Sequence, residues 1–327
     1  MNNKIINIQY ARAFAAICIV LYHVMRKGML LGYNEFEFEI GKMSVPLFFI
    51  ISGFIMCYIQ DVRPKHPLDF FKNRIIRILP PHYFFTTLIL VIYIIKPDLV
   101  KYSHYPNISI IGSYTLWPMI NSSMLLNPGW TLRPEFTFYF VFFITTLFFK
   151  KSNQKYLFVM LVCFSLSIVS YFSSIEVFRA FFNYMYIFAI GMVVYNLRGK
   201  LYGDINTVLF VVFSCLTIFL ITKKDDVDVI SSLLLGGSFL FFLNMEGKIN
   251  HGRFYMRWLG LIGDASYSIY LTHVLNIGVS TYIFKLSGIN SSVLYVSFTM
   301  LLSLIVGLFT YKYIEVPLIK ITRRFFS

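Results

Sequence analysis

The stretch RAFAAICIVLYH, residues 12–23, holds an arginine and a histidine that are separated by ten residues without a charge. It belongs to an apolar run from about Ile8 to Leu31, which is long enough to cross a membrane as one helix. Eleven helical steps cover roughly 16 Å, about half of a bilayer's hydrocarbon core. We therefore expect Arg12 at one membrane edge and His23 deep inside, where ionisable groups are costly and usually mark a site.

Two structural roles for these residues stay open. Arg12 also suits a positive-inside anchor, and His23 also suits a neutral imidazole that is hydrogen-bonded to a neighbouring helix. The rest of the chain decides between these roles and a functional one.

The composition excludes a soluble globular protein. The 327 residues are 57% hydrophobic, 19% aromatic and only 13% charged, and the mean hydropathy is +0.69. We predict an all-α, polytopic integral membrane bundle. Because about ten spans use most of the chain, we expect a single domain over 1–327 with no additional soluble domain.

The positions of the basic residues favour ten membrane spans with both termini in the cytoplasm. The spans are predicted near 8–30, 43–60, 82–96, 129–149, 155–172, 179–197, 205–222, 229–244, 259–281 and 292–314. This arrangement places 19 of the 29 Lys and Arg residues on the inner side, and the positive-inside rule therefore accounts for the net charge of +14 without nucleic acid. The segment 108–126 suits a re-entrant or interfacial piece better than a full crossing.

A second basic feature lies in 61–81, which we predict to be a loop before the third span. Arg74 and Arg77 lie three residues apart, hence on one helical face, just before a Pro-Pro pair. Each guanidinium group can bind phosphate oxygens bidentately, so the pair suits a phosphate-rich ligand. Anchoring arginines at an inner boundary are also common, and the pair alone is a weak signal.

The segment GWTLRPEFTFYF, residues 129–140, brings a carboxylate into a predicted span. Trp130 is expected at the outer interface, and Glu135 lies about a turn and a half further in. A carboxylate at that depth needs a partner, which Arg133 or a histidine from another helix can supply. The alternative is a local Arg133–Glu135 ion pair at the interface.

The segment GDASYSIYLTH, residues 263–273, places a second histidine within a span. By the predicted boundaries His273 and His23 lie at similar depth, in the outer half of the membrane. The two histidines lack metal-ligand spacing and no carboxylate cluster accompanies them, so no metal is expected.

These segments resemble the acyltransferase-3 family of bacterial membrane-bound O-acyltransferases over nearly the whole chain. The resemblance rests on six blocks in the expected order. They are Arg12 to His23, VPLFFIISGF at 45–54, KNRIIRILP at 72–80, GWTLRPEFTFYF at 129–140, GDASYSIYLTH at 263–273 and YIEVP at 313–317.

The resemblance implies transfer of an acyl group, most often acetyl, from cytoplasmic acyl-coenzyme A to a hydroxyl group of a glycan or lipid-linked sugar. The acceptor would be a surface polysaccharide of the capsule or lipopolysaccharide type, and the location a bacterial inner membrane. Larger relatives carry a further C-terminal hydrolase-like domain. We expect this chain to work alone or with a separate partner.

A coenzyme A donor fits the arginines. Its polyanionic head would lie against Arg74 and Arg77 at the inner face, with Arg12 close to the inner mouth, while the slender pantetheine arm carries the thioester into the bundle. Trp130 is assigned to the acceptor.

The reaction itself is assigned to the outer-half residues. His23 is expected to act as the general base that accepts the hydroxyl proton. Donors to the developing oxyanion would be Ser52, Tyr270 and His273, with Glu135 orienting an imidazole or contacting the sugar. Ser52 in ISGF also suits close helix packing.

A transport protein is the alternative from another class. Ten spans with buried His, Glu and Arg also describe a proton-coupled transporter or flippase of a lipid-linked sugar. Such folds often contain two matched halves, and the sequence has no matching half. The Arg-x-x-Arg at the inner edge also suits a nucleotide-bearing donor better than a transported sugar.

Overall fold

The computed structural model of the chain describes residues 5–100, 107–119, 121–149, 151–200, 205–223, 227–249 and 252–326. Four basic residues that enter the charge comparison lie outside the described residues, namely Lys4, Lys101, Lys150 and Lys224.

The described residues form fourteen α-helices and two short strands. In chain order they are α1 (Ile6–Leu30), α2 (Ser44–Val62), α3 (Pro67–Ile95), β1 (Asn107–Ser109), α4 (Ile110–Thr115), β2 (Ser122–Met124), α5 (Leu132–Phe148), α6 (Ser152–Phe172), α7 (Glu176–Phe182), α8 (Met185–Leu197), α9 (Ile205–Lys223), α10 (Val229–Asn244), α11 (Phe254–Asp264), α12 (Ser266–Ser287), α13 (Ser292–Thr310) and α14 (Val316–Phe326). The two strands pair in parallel, with Asn107 opposite Ser122. The predicted helical class is therefore confirmed.

Seven helical segments of the described chain are long and apolar enough to cross a membrane. They are Ile6–Leu30, Glu39–Val62, Pro67–Ile95, Ser152–Phe172, Glu176–Leu197, Ile205–Lys223 and Ser292–Phe326. Of the three other predicted spans, α5 has 17 residues, α10 has 16, and 259–281 is divided at Ala265 into α11 and α12. The chain is a multi-pass membrane protein, and the number ten stays a prediction.

The prediction of a loop over 61–81 is wrong. Helix α3 begins at Pro67 and continues through the Pro-Pro pair at 80–81. Proline is well suited to a first helical turn, because its fixed φ is already helical and its missing N–H has no intrahelical partner there. Inside a membrane helix the carbonyls that proline leaves unpaired can be compensated by packing and neighbouring groups. Arg74 and Arg77 consequently lie within a long helix.

The helix and strands within the segment 108–126 are short. Within its described residues, β1, α4 and β2 are three, six and three residues long, and none approaches crossing length. This agrees with the expectation that the segment is not a full crossing.

Contacts divide the chain into two compact units. The first contains Met1–Met56 and Ile190–Tyr311, and the second contains Cys57–Ala189 and Lys312–Ser327. The prediction of one domain over the whole chain stays a prediction.

In the first unit, α1 packs against α11, α12 and α13. A glycine permits each of two close approaches, because a Cβ at Gly263 would lie 2.0 Å from the Gln9 carbonyl oxygen and one at Gly307 would lie 3.0 Å from the Ile269 Cα. Apolar residues of α1, α12 and α13, including Val20 and Ile269, form the core between these helices. This core holds α1 and α12 against each other and so fixes the position of the side chains between them.

In the second unit, α5 packs against α3, α6 and α7, and α14 packs against α3. Aromatic rings fill this unit: Phe138 stacks on Phe188 with centroids 4.5 Å apart, and Phe70 lies 5.2 Å from Phe142. The aromatic-rich segment of α5 therefore contributes to the core, although its sequence suits a lipid-facing surface as well.

Candidate active site

Helix α1 presents Arg12 and His23 on one face. It runs without a break from Ile6 to Leu30, and eleven residues make about three turns. Arg12 is buried, and its guanidinium donates a hydrogen bond to the Gln9 Oε1 at 3.4 Å. The uninterrupted helix thus keeps the axial separation that the sequence predicts.

The two histidines of the sequence motifs lie beside each other in the first unit. The ring centroids of His23 and His273 are 5.1 Å apart, with an angle of 33° between the planes. His273 is completely buried, and His23 is half-buried. Residues 250 positions apart in the chain therefore form one imidazole pair.

The hydrogen bonds of His273 identify its tautomer. Its Nδ1 lies 2.6 Å from the backbone oxygen of Tyr270. A carbonyl oxygen only accepts, so Nδ1 carries the proton and donates. Its Nε2 is then the ring nitrogen with a lone pair, and this buried atom has no hydrogen-bond partner among the described residues. The geometry leaves a buried, proton-accepting nitrogen on one member of the pair.

Buried polar atoms continue along the same face of α12. Asn276 and Ser280 follow His273 at helical spacings of three and seven, and all three residues are at least nine-tenths buried. The Nδ2 of Asn276 and the Oγ of Ser280 also have no hydrogen-bond partner in the described chain. Since such groups each cost about 1–3 kcal/mol when unpaired, the row suits a polar ligand or water.

Tyr270 lies beside the histidine pair, and Ser52 lies on the helix whose Phe48 approaches Tyr270. The Tyr270 ring lies 5.6 Å from the ring of His273 and 6.2 Å from that of Phe48 on α2. Ser52 follows Phe48 by four residues on the same helix, so the two share a face. Two of the three predicted oxyanion donors, Ser52 and Tyr270, therefore belong to the same unit as the histidine pair, and Tyr270 lies next to His273.

The second unit contains the carboxylate and the arginine pair. Tyr139 donates a hydrogen bond of 2.5 Å to Glu135, one helical turn earlier in α5. Arg74 lies close to both Tyr139 and Glu135. Its guanidinium is 5.8 Å from the Phe70 ring centroid, and its buried Nε has no hydrogen-bond partner in the described residues.

Arg77 adds a second positive charge to this cluster. It is close enough to Arg74 for mutual repulsion, and both arginines lie near Tyr139, which donates to Glu135, the one carboxylate of this cluster among the described residues. The cluster therefore has a surplus of positive charge and an unused donor, which suits an anionic ligand.

The structure changes the partner predicted for Glu135. Arg133 donates from its Nε to the backbone oxygen of Leu116 at 3.0 Å, and Arg74 is the arginine that approaches Glu135. The local Arg133–Glu135 ion pair is thus not the arrangement found. Trp130 packs against Tyr184, with ring centroids 5.6 Å apart.

Sequence reasoning missed two side chains. Tyr139 lies four residues after Glu135, and this spacing on a helix was a usable signal for their contact. His82 is completely buried, donates from Nε2 to the Ser113 carbonyl at 2.9 Å, and leaves Nδ1 without a partner in the described chain. A lone histidine inside an apolar run was the signal for it, as it was for His23.

The predicted site residues fall into two groups. Arg12, Ser52 and Tyr270 belong to the first unit together with the histidine pair. The second unit holds Arg74, Arg77, Trp130 and Glu135. The expectation that Glu135 shares a site with the histidines stays a prediction. In the described part of the chain, no group of three His, Cys, Asp or Glu side chains has the geometry for a metal ion.

A multi-pass helical membrane protein with a pair of adjacent histidines and an arginine-rich cluster contains the functional groups expected of a membrane-embedded enzyme. The chain belongs to the acyltransferase-3 family of membrane-bound O-acyltransferases, because the family model described as "Acyltransferase domain" matches residues 5–312. It is also similar to the "Exopolysaccharide production protein ExoZ" of Rhizobium meliloti (strain 1021), with 33% identity over 132 residues. That alignment covers 38% of this chain and 38% of the length of ExoZ. No solved structure matches the chain.

Proposed function

We propose that the protein transfers an acetyl group from acetyl-coenzyme A to a hydroxyl group of a cell-surface polysaccharide or its lipid-linked precursor. Family membership supports acyl transfer, and similarity to ExoZ, an exopolysaccharide production protein, supports a polysaccharide acceptor. The observation that carries the proposal is the imidazole pair, in which His273 has one nitrogen fixed as a donor and the other left open.

In the proposed reaction, His23 accepts the acceptor's hydroxyl proton while that oxygen attacks the thioester carbonyl. A C–O bond forms and the C–S bond breaks, and the proton passes from the imidazole to the departing sulfur. General-base catalysis of this kind contributes about 10²–10⁴-fold to a rate. His273 lies beside His23, and its open Nε2 is proposed to accept a hydrogen bond from a second proton-bearing group. Ser52 and Tyr270 are proposed to stabilise the oxyanion.

The donor is proposed to bind through arginine. Arg74 and Arg77 have one opposing carboxylate between them, so an approaching phosphate meets a net positive charge. Arg12 shares the helix face of His23 and is proposed to guide the donor from the inner edge. The acceptor is proposed to use the unpaired polar atoms along α12, with Trp130 as a further contact.

For the membrane arrangement we propose ten spans, cytoplasmic N- and C-termini, one catalytic domain over 1–327 and residence in a bacterial inner membrane. The basic residues support this orientation, since 19 of 29 lie on the inner side. An inner-membrane location would give the site access to a cytoplasmic donor and an extracytoplasmic glycan.

The test compares membranes that contain the native protein with membranes that contain His23→Gln at matched expression. Both receive radiolabelled acetyl-coenzyme A and the host's own glycan, and alkali-labile label on polysaccharide is counted. We expect His23→Gln to lower the rate by about 10²–10⁴-fold, because glutamine cannot take up the proton.

Tyr22→Phe is the matched control. The ring of Tyr22 packs edge-on against His23 at 5.1 Å, while its hydroxyl accepts from Arg26 in an exposed position. We expect the control to label like the native protein. Equal labelling by His23→Gln and the native protein would remove His23 from the reaction, and native membranes without any labelled ester would contradict the proposed donor and acceptor.

A further inference from the structure

A cavity of about 470 Å³ lies in the second unit, between the N-terminal turns of α3 and the C-terminal end of α14. It is separate from the arginine pair, since neither Arg74 nor Arg77 lines it. Its lining consists of Pro64, Lys65, His66, Asp69, Lys72, Asn73, Ile76, Arg323 and Phe326. A volume of this size falls within the range of small-ligand sites.

The lining is rich in uncompensated positive charge. The side chains of Lys65, His66 and Arg323 make no ion pair or hydrogen bond with any described residue, and all three residues are exposed. Among the described residues, Asp69 supplies the one carboxylate that lines the cavity. Two free cations and an imidazole facing one carboxylate leave a net attraction for anions.

Lys72 fixes the other side of the cavity. Its ammonium group donates to the Phe326 carbonyl oxygen and lies 5.6 Å from the centroid of the Phe326 ring. Because this contact joins α3 to α14, the cavity wall is held together, and Lys65 and Arg323 remain free to bind.

The N-terminus of α3 adds to the positive electrostatic potential of the cavity. His66 is the N-cap residue and makes no side-chain cap hydrogen bond, so first-turn N–H groups of a 29-residue helix remain open. The positive end of a helix dipole favours anions. The cavity therefore combines free cations with a helix terminus of matching sign.

We propose that this cavity binds a phosphate ester, with Lys65 and Arg323 as its principal ligands. Arginine and lysine side chains that line one cavity can bind phosphate oxygens through charge-assisted hydrogen bonds. Two sources share this chemistry: the adenosine 3′-phosphate end of coenzyme A, whose diphosphate is left to Arg74 and Arg77, and the headgroup of an anionic phospholipid. Only binding of coenzyme A rests on the proposed function. The experiment below measures the binding of each ligand directly and does not depend on acyl transfer.

Both sources have support in the cavity's surroundings. The Phe326 ring is available for stacking on a base, which suits the nucleotide head. Helix α14 places Lys320, Arg323 and Arg324 near the exposed Phe325, whose side chain is 84% accessible. Basic and aromatic residues together on a terminal helix suit a membrane surface with anionic lipid.

The test uses the full-length purified protein and the variant Lys65→Gln/Arg323→Gln. Binding of adenosine 3′,5′-bisphosphate is measured by titration calorimetry in neutral detergent. Binding of phosphatidylglycerol is measured by native mass spectrometry of protein taken from phosphatidylcholine nanodiscs that contain it. The control variant is Arg63→Gln/Lys151→Gln, which removes the same charge from exposed positions of the second unit that do not line the cavity.

We expect Lys65→Gln/Arg323→Gln to weaken binding of one of the two ligands by about tenfold or more, and the control to stay within about twofold. If this variant binds adenosine 3′,5′-bisphosphate more weakly, the cavity is assigned to the donor. If it retains less phosphatidylglycerol, the cavity is assigned to lipid. If both variants bind both ligands like the native protein, the proposal is overturned. This result is independent of whether the membranes acetylate any glycan.

Discussion

At the scale of single residues, the open Nε2 of His273 is the most specific feature of the site. Asparagine can place its amide near the position of Nδ1 and still donate to the Tyr270 carbonyl, whereas glutamine reaches the position of Nε2. We expect His273→Asn to keep the fold and lose about 10²-fold in acetyl transfer. His273→Gln should retain more activity than His273→Asn, because its side-chain oxygen accepts a hydrogen bond where Nε2 does. Transfer rates and thermal unfolding of both variants check this order, and the reverse order would contradict the assigned tautomer.

Asn276 allows a ligand role to be separated from a packing role. Its Nδ2 is buried and has no partner among the described residues. We expect Asn276→Leu to raise the free energy of unfolding, by up to about 1–3 kcal/mol, because it removes an unpaired polar group. The same variant should raise KM for the glycan and leave KM for acetyl-coenzyme A unchanged. A destabilised protein with normal KM would mean that Asn276 has a structural partner.

Thr281→Val is the comparison for Asn276→Leu. The Thr281 hydroxyl lies 3.1 Å from the hydroxyl of Tyr295, so its loss should lower the free energy of unfolding by about 1 kcal/mol. The two substitutions on one helix are therefore expected to have opposite effects on stability.

At the scale of elements, the contact of α11 with α1 depends on a single glycine. A Cβ at Gly263 would lie 2.0 Å from the backbone oxygen of Gln9, the residue whose side chain accepts from Arg12. Gly263→Ala should force the helices apart at a cost of about 1–3 kcal/mol and reduce activity. Gly260→Ala, one turn earlier in α11, has no atom within 4 Å of its new Cβ and should change stability by about 1 kcal/mol or less. Thermal unfolding in detergent measures both, and equal effects would contradict the close approach.

The elements also show how far sequence reasoning reaches. The apolar run before Leu31 is long and continuous, so α1 and the axial separation of Arg12 from His23 were predictable. The pairing of His23 with His273 was predictable only as a similarity of depth, because periodicity gives no lateral position. Helix α3 was misjudged because a Pro-Pro pair normally ends a helix in water, whereas packing within a membrane protein retains it. The Arg74–Glu135 approach joins two helices, and Arg133 was the only partner that local sequence offered.

At the scale of the whole molecule, the orientation is tested by α9. The proposed arrangement places Lys200, five residues before this helix begins, inside and Lys223, its last residue, outside. In a background without the four native cysteines, we expect Lys223→Cys to react with a membrane-impermeant maleimide in intact cells. Lys200→Cys should react only after permeabilisation. Labelling of Lys200→Cys in intact cells would contradict cytoplasmic termini in a ten-span chain.

The first unit is assembled from two separate stretches of chain, one that ends at Met56 and one that begins at Ile190. His23 is therefore synthesised about 250 residues before His273. At roughly 5–20 residues per second, α1 spends on the order of ten to fifty seconds on the ribosome or in the membrane before its partner helix exists. During that interval its buried arginine and histidine must be accommodated by lipid, water or the insertion machinery. Formation of the histidine pair is a late event in biogenesis, and a nascent chain arrested before α12 contains the first motif but no histidine pair.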